Sequence, residues 1–348
     1  MKAMILKEFR QLRRDRRTVA LMIGLPLMLL IVFGYAARFD VSNVDTAVAG
    51  PGAEAFAETL PEFYTVVDID PNRSPESAED LLRNAEVQIA FVSGTVPVTM
   101  LVDGSELFSA QAAMRHLPDQ VRPEILFNPE LDTTTVMVPS LIGFIMLFVG
   151  VVITSLGVVR EREQGTLEQL AVMPLRPRDV MAGKIVPYFV IALFDMILVT
   201  VAGLLLFDVP FNGSVLLFAA FVFVFLFVVL GLGVAISTVS KSQGEAIQLA
   251  IMVLMPQIML SGMIFPLGSM APVIRWIGYM FPLTWFIKGM RGIFLRGSDV
   301  SALANSLAIL VFMAIVVSAV ALFRFRQDLA PKQRTDDPGP RAETLVGT

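Results

Sequence analysis

The sequence predicts a mainly α, polytopic membrane protein with six transmembrane helices and a small α/β outer domain inserted between helices 1 and 2. Three observations predict this class. Hydrophobic residues make up 55% of the 348-residue chain, charged residues only 17%, and the mean hydropathy is +0.71; soluble proteins carry about a quarter charged residues. Six stretches hold the roughly 20 apolar residues that a helix needs to cross a bilayer. A long polar segment separates the first two stretches.

The composition also excludes several functional classes. The chain has no cysteine, so disulfides, thiolate metal sites and cysteine nucleophiles are excluded. His116 is the single histidine, so no histidine cluster can hold a metal, and we expect no metal site. The net charge of −4 gives a nucleic-acid partner no electrostatic support.

The N-terminal segment is predicted to anchor the chain in the membrane. Residues 1–17 form a cytoplasmic amphipathic helix in this prediction, with Ile5, Phe9 and Leu12 on one face and basic residues around them. That helix either fixes the topology or lies in the interface and touches a cytoplasmic partner. Residues 18–37 form transmembrane helix 1, which is longer than the apolar core of a signal peptide and is therefore expected to stay uncleaved.

Residues 38–135 are predicted to form an extracytoplasmic α/β domain, because short apolar runs alternate with helix-like segments. It carries 17 acidic residues against 5 basic ones. Asp68 and Asp70 favour a solvated strand end over a metal site. The predicted strands are 46–49, 64–69, 87–92 and 98–102. The predicted helices are 53–60, 75–85 and 106–117, the second beginning at Ser74-Pro75.

Residues 136–323 are predicted to contain transmembrane helices 2–6. The five apolar stretches are 136–159, 185–207, 215–239, 246–265 and 303–323. Of the 27 Lys and Arg residues, 18 fall on the side that holds both termini, so the positive-inside rule places both termini in the cytoplasm. The polar tail, 324–348, is predicted to be cytoplasmic and disordered.

The last outer segment, residues 266–302, is too polar to span the membrane and too apolar for a free loop. Its prolines and aromatic residues predict short outer interfacial helices with the aromatic rings at headgroup level. Phe281 and Trp285 are candidates for the translocation pathway, where the segment acts as a gate for departing cargo. The alternative is a lid that only seals the helix bundle.

Asp195 is the one charged residue in the five later stretches. It lies near the middle of its predicted span, where an acid is costly and must face protein or water. Asp195 either handles substrate or protons, or pairs with a polar group on another helix, such as Gln248 or Gln257. Gln257 is included with it as a candidate pathway residue.

The loop at 160–184 is the most informative stretch. A charged cluster leaves the membrane helix at Arg160, Gly165-Thr166 allows a turn, and Thr166 with Gln169 matches a helix capping box. The pattern predicts a short, rigid knob that either docks onto a partner or merely orders the loop. The chain's only Gly-Lys pair, Gly183-Lys184, does not match a nucleotide-binding P-loop.

These residues resemble those of a known family. The run E-R-E-x-G-T-x-E-x-L, followed by P-x-R and by G-K-I-x-P-Y, resembles the signature of type-2 (ABC-2) membrane permeases of ATP-binding-cassette exporters. The long outer domain resembles the subgroup that exports drugs or lipid-like molecules. Further matches occur in the family's order at 127–130, 138–139, 209–214, 230–233, 236–238, 261–266, 282–284 and 291–292.

The resemblance implies a division of labour between subunits. Family members have six membrane helices and work as a dimer of permeases, so a second permease, either the same chain or a paralogue, is expected. Each permease rests on a cytoplasmic ABC ATPase subunit, which binds ATP and Mg; this chain is expected to bind no cofactor. The implied coupling residues are Arg160, Glu161, Arg162, Glu163, Gln164, Gly165, Thr166, Glu168 and Pro174.

The predicted function is the permease subunit of an exporter that moves an amphipathic or lipid-like substrate or drug out of the cytoplasm through the plasma (inner) membrane. Membrane lipid is an expected partner, and nucleic acid is not. One alternative is a secondary transporter without an ATPase, which predicts more ionisable groups in the membrane. Another is a membrane-anchored receptor or scaffold, which would not need six spans.

Overall fold

The computed structural model of the protein describes residues 41–94, 96–164 and 177–329. A small sheet domain precedes a larger helical part, and five helices are long and apolar enough to cross a membrane. The predicted mainly α membrane fold with a small α/β domain is confirmed at this level. The predicted helix at 1–17, the first span at 18–37 and residues 330–348 of the tail lie outside the described residues.

The sheet contains five strands. They are β1 (Val44–Ala49), β2 (Tyr64–Asp70), β3 (Ile89–Val92), β4 (Val98–Asp103) and β5 (Val121–Leu126). Their spatial order is β2-β1-β3-β4-β5; β3 and β4 pair antiparallel and the other pairs are parallel. The central strands are buried on both faces, as parallel strands covered by helices usually are.

Three helices cover the sheet. Helices α1 (Ala53–Ala57) and α3 (Leu107–Arg115) pack on one face, around a core that includes Phe91 and Met100. Helix α2 (Pro75–Arg83) packs on the other face through Ala78 and Leu82. The Ser74 hydroxyl accepts a hydrogen bond from the Ser77 amide at 3.2 Å, so the predicted start of α2 is confirmed.

The sequence prediction missed one strand, β5. The segment reads V-R-P-E-I-L, and its charged residues and Pro123 argue against a buried strand. Its place at the sheet edge removes the conflict, because an edge strand tolerates proline and exposes polar side chains. Arg122 and Glu124 are exposed.

The helical part contains five membrane-length helices. They are α4 (Thr133–Glu163), α5 (Pro177–Phe207), α6 (Val215–Val239), α7 (Gln243–Leu260) and α10 (Val300–Leu329). Each contains one of the five apolar stretches predicted between 136 and 323, apart from the last residues of the 246–265 stretch. At about 1.5 Å per residue, the 31 residues of α4 exceed the roughly 30 Å hydrocarbon core of a bilayer.

Helix α6 lies at the centre of the bundle and packs against α4 and α10. Small residues allow this close approach: a Cβ added at Gly150 of α4 would clash with Val229 of α6. The Phe225 ring of α6 stacks on Phe286 with centroids 4.1 Å apart. Helix α5, by contrast, exposes large apolar side chains such as Phe194 and Leu205, as a lipid-facing helix does.

The last outer segment is helical but broken. It contains a 3₁₀ turn (Leu267–Ser269), α8 (Pro272–Tyr279), α9 (Pro282–Arg291) and a π-helical turn (Gly292–Arg296) before α10 begins. Proline occupies the first position of both α8 and α9, where its missing N–H costs nothing. Pro282 separates α9 from α8, so the two short helices do not join into one.

Candidate functional site

The end of α4 that is remote from the sheet domain carries the predicted coupling residues. Arg160, Glu161, Arg162 and Glu163 form the last turn of α4, and Gln164 caps it. These residues continue the membrane helix without a break. Gly165, Thr166, Glu168 and Pro174 lie outside the described residues.

Arg162 binds the end of the neighbouring helix α6. Its Nη1 donates hydrogen bonds to the carbonyl oxygens of Ser237 and Ser240, each at 2.9 Å. The last carbonyls of a helix have no partner within the helix, and a cation there also interacts favourably with the helix dipole. Arg162 therefore caps the C-terminal end of α6.

Glu163 binds the start of the next helix, α7. Its carboxylate accepts hydrogen bonds from the Gln243 backbone N–H at 3.0 Å and from the Gln243 side-chain amide at 2.6 Å. Gln243 is the first residue of α7, where the N–H lacks a partner within the helix and a negative charge is favourable. Glu163 therefore acts as a cap supplied by another helix.

We call Arg162, Glu163 and their partners Ser237, Ser240 and Gln243 the α4 clasp. The clasp joins adjacent residues of one helix to the two ends of the turn between α6 and α7. Hydrogen bonds within the turn also stabilise it. The Ser242 hydroxyl accepts a hydrogen bond from the Glu245 N–H at 3.3 Å, and the Glu245 carboxylate accepts one from the Lys241 N–H at 2.7 Å. The end of α4 is thus hydrogen-bonded to both ends of the turn between α6 and α7.

The opposite end of the bundle is joined to the sheet domain by a buried ion pair. Arg296, in the π-helical turn, lies 3.2 Å from Asp103 at the end of β4, with side chains 3% and 1% exposed. Asp103 also accepts from the Ser105 N–H at 2.9 Å and hydroxyl at 2.6 Å. Burial raises the pKa of the Asp103 carboxyl, and the Arg296 guanidinium opposes that rise.

A second set of contacts links the same elements. Arg291 of α9 lies 3.4 Å from Glu106 and donates to the carbonyl oxygen of Gly262 at 3.1 Å. Gly262 follows the end of α7 and has φ +84°, a conformation that glycine adopts without strain. The Ser298 hydroxyl donates to the Arg83 carbonyl oxygen at 2.6 Å. The end of α7, the outer helices and the sheet domain are thus bonded together.

The predicted pathway residues Phe281 and Trp285 lie one turn apart around the start of α9. Phe281 is the N-cap residue and packs against the bundle core. The Trp285 Nε1–H donates to the Tyr279 carbonyl oxygen at 2.8 Å, across the break between α8 and α9. Lys288 places its Nζ 4.8 Å from the ring centroids of both Tyr279 and Trp285, within cation–π distance.

Asp195 and Gln257, the other predicted pathway residues, are not joined to each other. Asp195 is half-buried on α5, and no hydrogen bond connects it to Gln248 or Gln257 within the part of the chain that the structure describes. Gln257 is buried on α7; its Nε2 donates to the Val253 carbonyl oxygen at 3.3 Å, while its Oε1 has no described partner. The suggested pairing of Asp195 with the side-chain amide of Gln248 or Gln257 is therefore not seen among the described residues.

Sequence reasoning identified Arg162 and Glu163 but missed their partners. Ser242 and Glu245, spaced as in a capping box, mark the start of α7. That local signal does not reveal which charged residue lies beside the turn. The basic residues Arg275, Lys288 and Arg291 of the outer segment argued against a continuous span, but nothing in the sequence indicated their partners.

Comparisons with known proteins agree with these features. Residues 16–323 match the profile of a family described as ABC-2 family transporter protein. The chain is 27% identical to the probable multidrug ABC transporter permease YbhS of Escherichia coli (strain K12), over 94% of this chain and 97% of that protein. It is 28% identical to the probable multidrug ABC transporter permease YbhR of the same strain, over 93% and 97%. It is also 32% identical to the inner membrane transport permease YhhJ, over 58% and 54%.

Proposed function

The chain belongs to the ABC-2 family of transporter proteins, and from that premise we propose how it carries cargo out of the cell. As a member of this family it is the permease subunit of an ATP-binding-cassette exporter, a multi-pass protein of the inner membrane, and the ATPase activity resides in a partner subunit. In our proposal, ATP and Mg²⁺ act on that cytoplasmic subunit. Two permeases, either two copies of this chain or this chain with a paralogue, line the path between them.

The α4 clasp is the observation that carries the proposed mechanism. The ATPase contacts the loop that follows Glu163, with Arg160, Glu161, Gln164, Gly165, Thr166, Glu168 and Pro174 as the other proposed contact residues. When ATP draws the ATPase subunits together, the loop moves the end of α4. Arg162 and Glu163 pass that movement to α6 and α7 through their hydrogen bonds.

The movement reaches the outer face through α7. One end of α7 is bonded to Glu163 through Gln243, and Gly262, just beyond the other end, accepts a hydrogen bond from Arg291 of α9. A shift of α7 along its axis therefore pulls on the outer helices. Phe281 and Trp285 are placed to gate the exit of cargo, and Asp195 and Gln257 are the proposed polar points along the pathway.

The proposed cargo is an amphipathic or lipid-like molecule. Asp195 is the one charged residue in the apolar stretches 185–207, 215–239 and 246–265, so these helices offer little solvation for an ion. A secondary transporter that acts without an ATPase would need more ionisable groups within the spans. A receptor or scaffold would have no use for a clasp between three helices at the end remote from the sheet domain.

We expect the chain to co-purify with an ABC ATPase subunit encoded beside it. When the two are co-expressed and the permease is tagged, the ATPase should be retained in detergent at about equal stoichiometry. Replacing residues 165–176 with a Gly-Ser linker of equal length should release the ATPase without reducing membrane insertion. Absence of a bound ATPase from the unmodified chain would favour the secondary transporter or the receptor.

The proposed topology has six spans, the first at residues 18–37, with both termini in the cytoplasm and residues 38–135 outside. Single cysteines at Ser42 or Glu76, both exposed on the sheet domain, should react in intact cells with an impermeant thiol reagent. Cysteines at Gln164 or Lys241, exposed at the other end of the bundle, should react only after permeabilisation. The native chain has no cysteine, so background labelling is absent. Reaction at Gln164 in intact cells would contradict the topology.

A further inference from the structure

A cavity of about 390 Å³ separates the sheet domain from the outer helices. Asp103 and Glu106 line it from the sheet domain, Tyr279 and Trp285 from the outer helices, and Ser306 from the first turns of α10. The proposed coupling through α4, α6 and α7 assigns no ligand to this space. Its volume is sufficient for a small polar group of several heavy atoms.

All four basic residues of the segment 266–302 line the cavity: Arg275, Lys288, Arg291 and Arg296. Two of them are neutralised, since Arg296 pairs with Asp103 and Arg291 with Glu106. Arg275 and Lys288 form no ion pair with any carboxylate that the structure describes. The third acidic residue of the lining, Asp45, is exposed, so water and salt screen its charge. The cavity is therefore left with an uncompensated positive charge.

The same arginines also have unused hydrogen-bond donors. The Nε–H groups of Arg275, Arg291 and Arg296 are buried and have no partner among the described residues. Buried donors are nearly always satisfied, because an unpaired one loses its bonds to water without compensation. These three donors lie on residues that line one cavity, which concentrates guanidinium charge around it.

Lys288 is held close to the centre of this arrangement. Burial lowers the pKa of its ammonium group, Glu106 raises the pKa from beyond ion-pair distance, and Arg296 lowers it. The rings of Tyr279 and Trp285 supply its nearest stabilising contacts, at 4.8 Å. An anion beside Nζ would relieve the cost of burying the charge.

The cavity adjoins a surface suited to lipid. Helix α8 carries Arg275 and Tyr279 of the lining. Val273 and Trp276 of this helix, and Met280 just after it, each have more than 70% of their surface accessible. Tryptophan and neighbouring apolar residues on a short helix are typical of the membrane–water interface. A ligand whose head group enters the cavity could therefore leave its apolar tail in the bilayer.

We propose that this cavity binds the anionic head group, a phosphate or carboxylate, of an amphiphilic molecule. Arg275 and Lys288 supply the compensating charge and donate hydrogen bonds to its oxygen atoms. The Asp103 and Glu106 carboxylates are already paired, so a cationic head group would meet only repulsion there. This inference rests on the proposed export of an amphipathic cargo and assigns the charge of its head group.

The chain contains a reporter for this test. It has two tryptophans, so Trp276→Phe leaves Trp285, which lines the cavity, as the sole source of tryptophan fluorescence. The full-length Trp276→Phe chain is purified in dodecyl maltoside and titrated with dodecyl phosphate, with inorganic phosphate and with dodecyltrimethylammonium. Dodecyl phosphate should change Trp285 emission saturably, and inorganic phosphate should compete weakly. The cationic amphiphile should have no saturable effect.

Lys288→Met is the decisive variant, because it keeps the apolar stem and removes the charge. It should weaken dodecyl phosphate binding by about tenfold or more, the range expected for loss of a charged hydrogen bond. Lys241→Met, which removes a lysine at the other end of the bundle, is the matched control and should bind normally. Arg275→Met provides a second test if Lys288→Met lowers the thermal unfolding midpoint.

Equal affinity of Lys288→Met and Lys241→Met for dodecyl phosphate would overturn the inference. A Trp285 response to dodecyltrimethylammonium equal to the response to dodecyl phosphate would also overturn it. If inorganic phosphate saturated the Trp285 emission change at the same concentration as dodecyl phosphate, the inference would also be overturned, because the dodecyl tail would then contribute nothing to binding. These measurements need no ATPase. A chain that fails them yet still co-purifies with the ATPase subunit loses this inference and keeps its proposed function; loss of the ATPase would instead contradict that function.

Discussion

Replacing Glu163 with lysine should abolish the ATP-driven change at the outer end of the permease, whereas replacing it with glutamine should leave most of that change intact. Glutamine keeps an oxygen that accepts from the Gln243 N–H, and its amide can pair with the Gln243 side chain. Lysine has no acceptor and places a positive charge at the start of α7, where the helix dipole disfavours it. The two variants therefore separate a role in the clasp from a role that needs the negative charge itself.

The change at the outer end can be read from a single cysteine at Ser306. This residue is buried, 8% exposed, and lines the cavity between the sheet domain and the outer helices. In the reconstituted complex, ATP should change the rate at which a thiol reagent labels this cysteine by several-fold, as measured on the permease band. Glu163→Lys should reduce the ATP effect to less than about twofold, which corresponds to a coupling free energy near zero. Arg162→Met should behave in the same way, since it removes both bonds to the end of α6.

Lys241→Met is the matched control for these variants. Lys241 lies in the turn that the clasp holds, and its side chain is exposed. The turn uses its backbone N–H, which the substitution retains. ATPase co-purification must remain normal in every variant, so that loss of docking is distinguished from loss of transmission. A Glu163→Gln chain as defective as Glu163→Lys would refute the clasp and favour direct contact between the Glu163 charge and the ATPase.

Much of the fold was predictable because its signals are local. An N-cap serine followed by proline identifies the start of α2, and runs of apolar residues identify the membrane-length helices. Strand β5 was missed because its sequence resembles a loop unless its position at the sheet edge is known. The break between α8 and α9 follows from Pro272 and Pro282, but the contacts of these helices depend on the packing of residues far apart in sequence.

The candidate site was less predictable for the same physical reason. Arg162 and Glu163 stand out in the sequence as a charged run at the end of a span. Their partners are 75 or more residues away, and only the arrangement of α4, α6 and α7 brings them together. Arg296 and Asp103 are separated by 193 positions, and nothing local to either residue indicates a buried pair. The sequence shows which residues are charged, but only the tertiary structure shows which of these charges form ion pairs or hydrogen bonds.

Removing the Arg296 side chain should destabilise the protein more than any other single change considered above. Arg296→Met leaves Asp103 buried without its counter-charge, which typically costs about 3–5 kcal/mol. Arg122→Met, on the exposed edge strand β5, should change stability by less than about 0.5 kcal/mol and serves as the control. The double variant Arg296→Met, Asp103→Leu should recover most of the loss, because an apolar pair leaves no buried charge.

The defect of Arg296→Met should also depend on pH, with a direction fixed by Asp103. Burial already raises the pKa of this carboxyl, and loss of the Arg296 guanidinium, which opposes the rise, should raise it further. When the pKa of a carboxyl is higher in the folded than in the unfolded protein, the free energy of unfolding falls as the pH rises above the unfolded pKa of about 3.9. The stability difference between Arg296→Met and wild type should therefore be largest at pH 8 and should shrink toward pH 5. Thermal unfolding followed at both pH values in detergent measures it, and a defect that is equal at both, or larger at pH 5, would show that the ionised Asp103 carboxylate is not its cause.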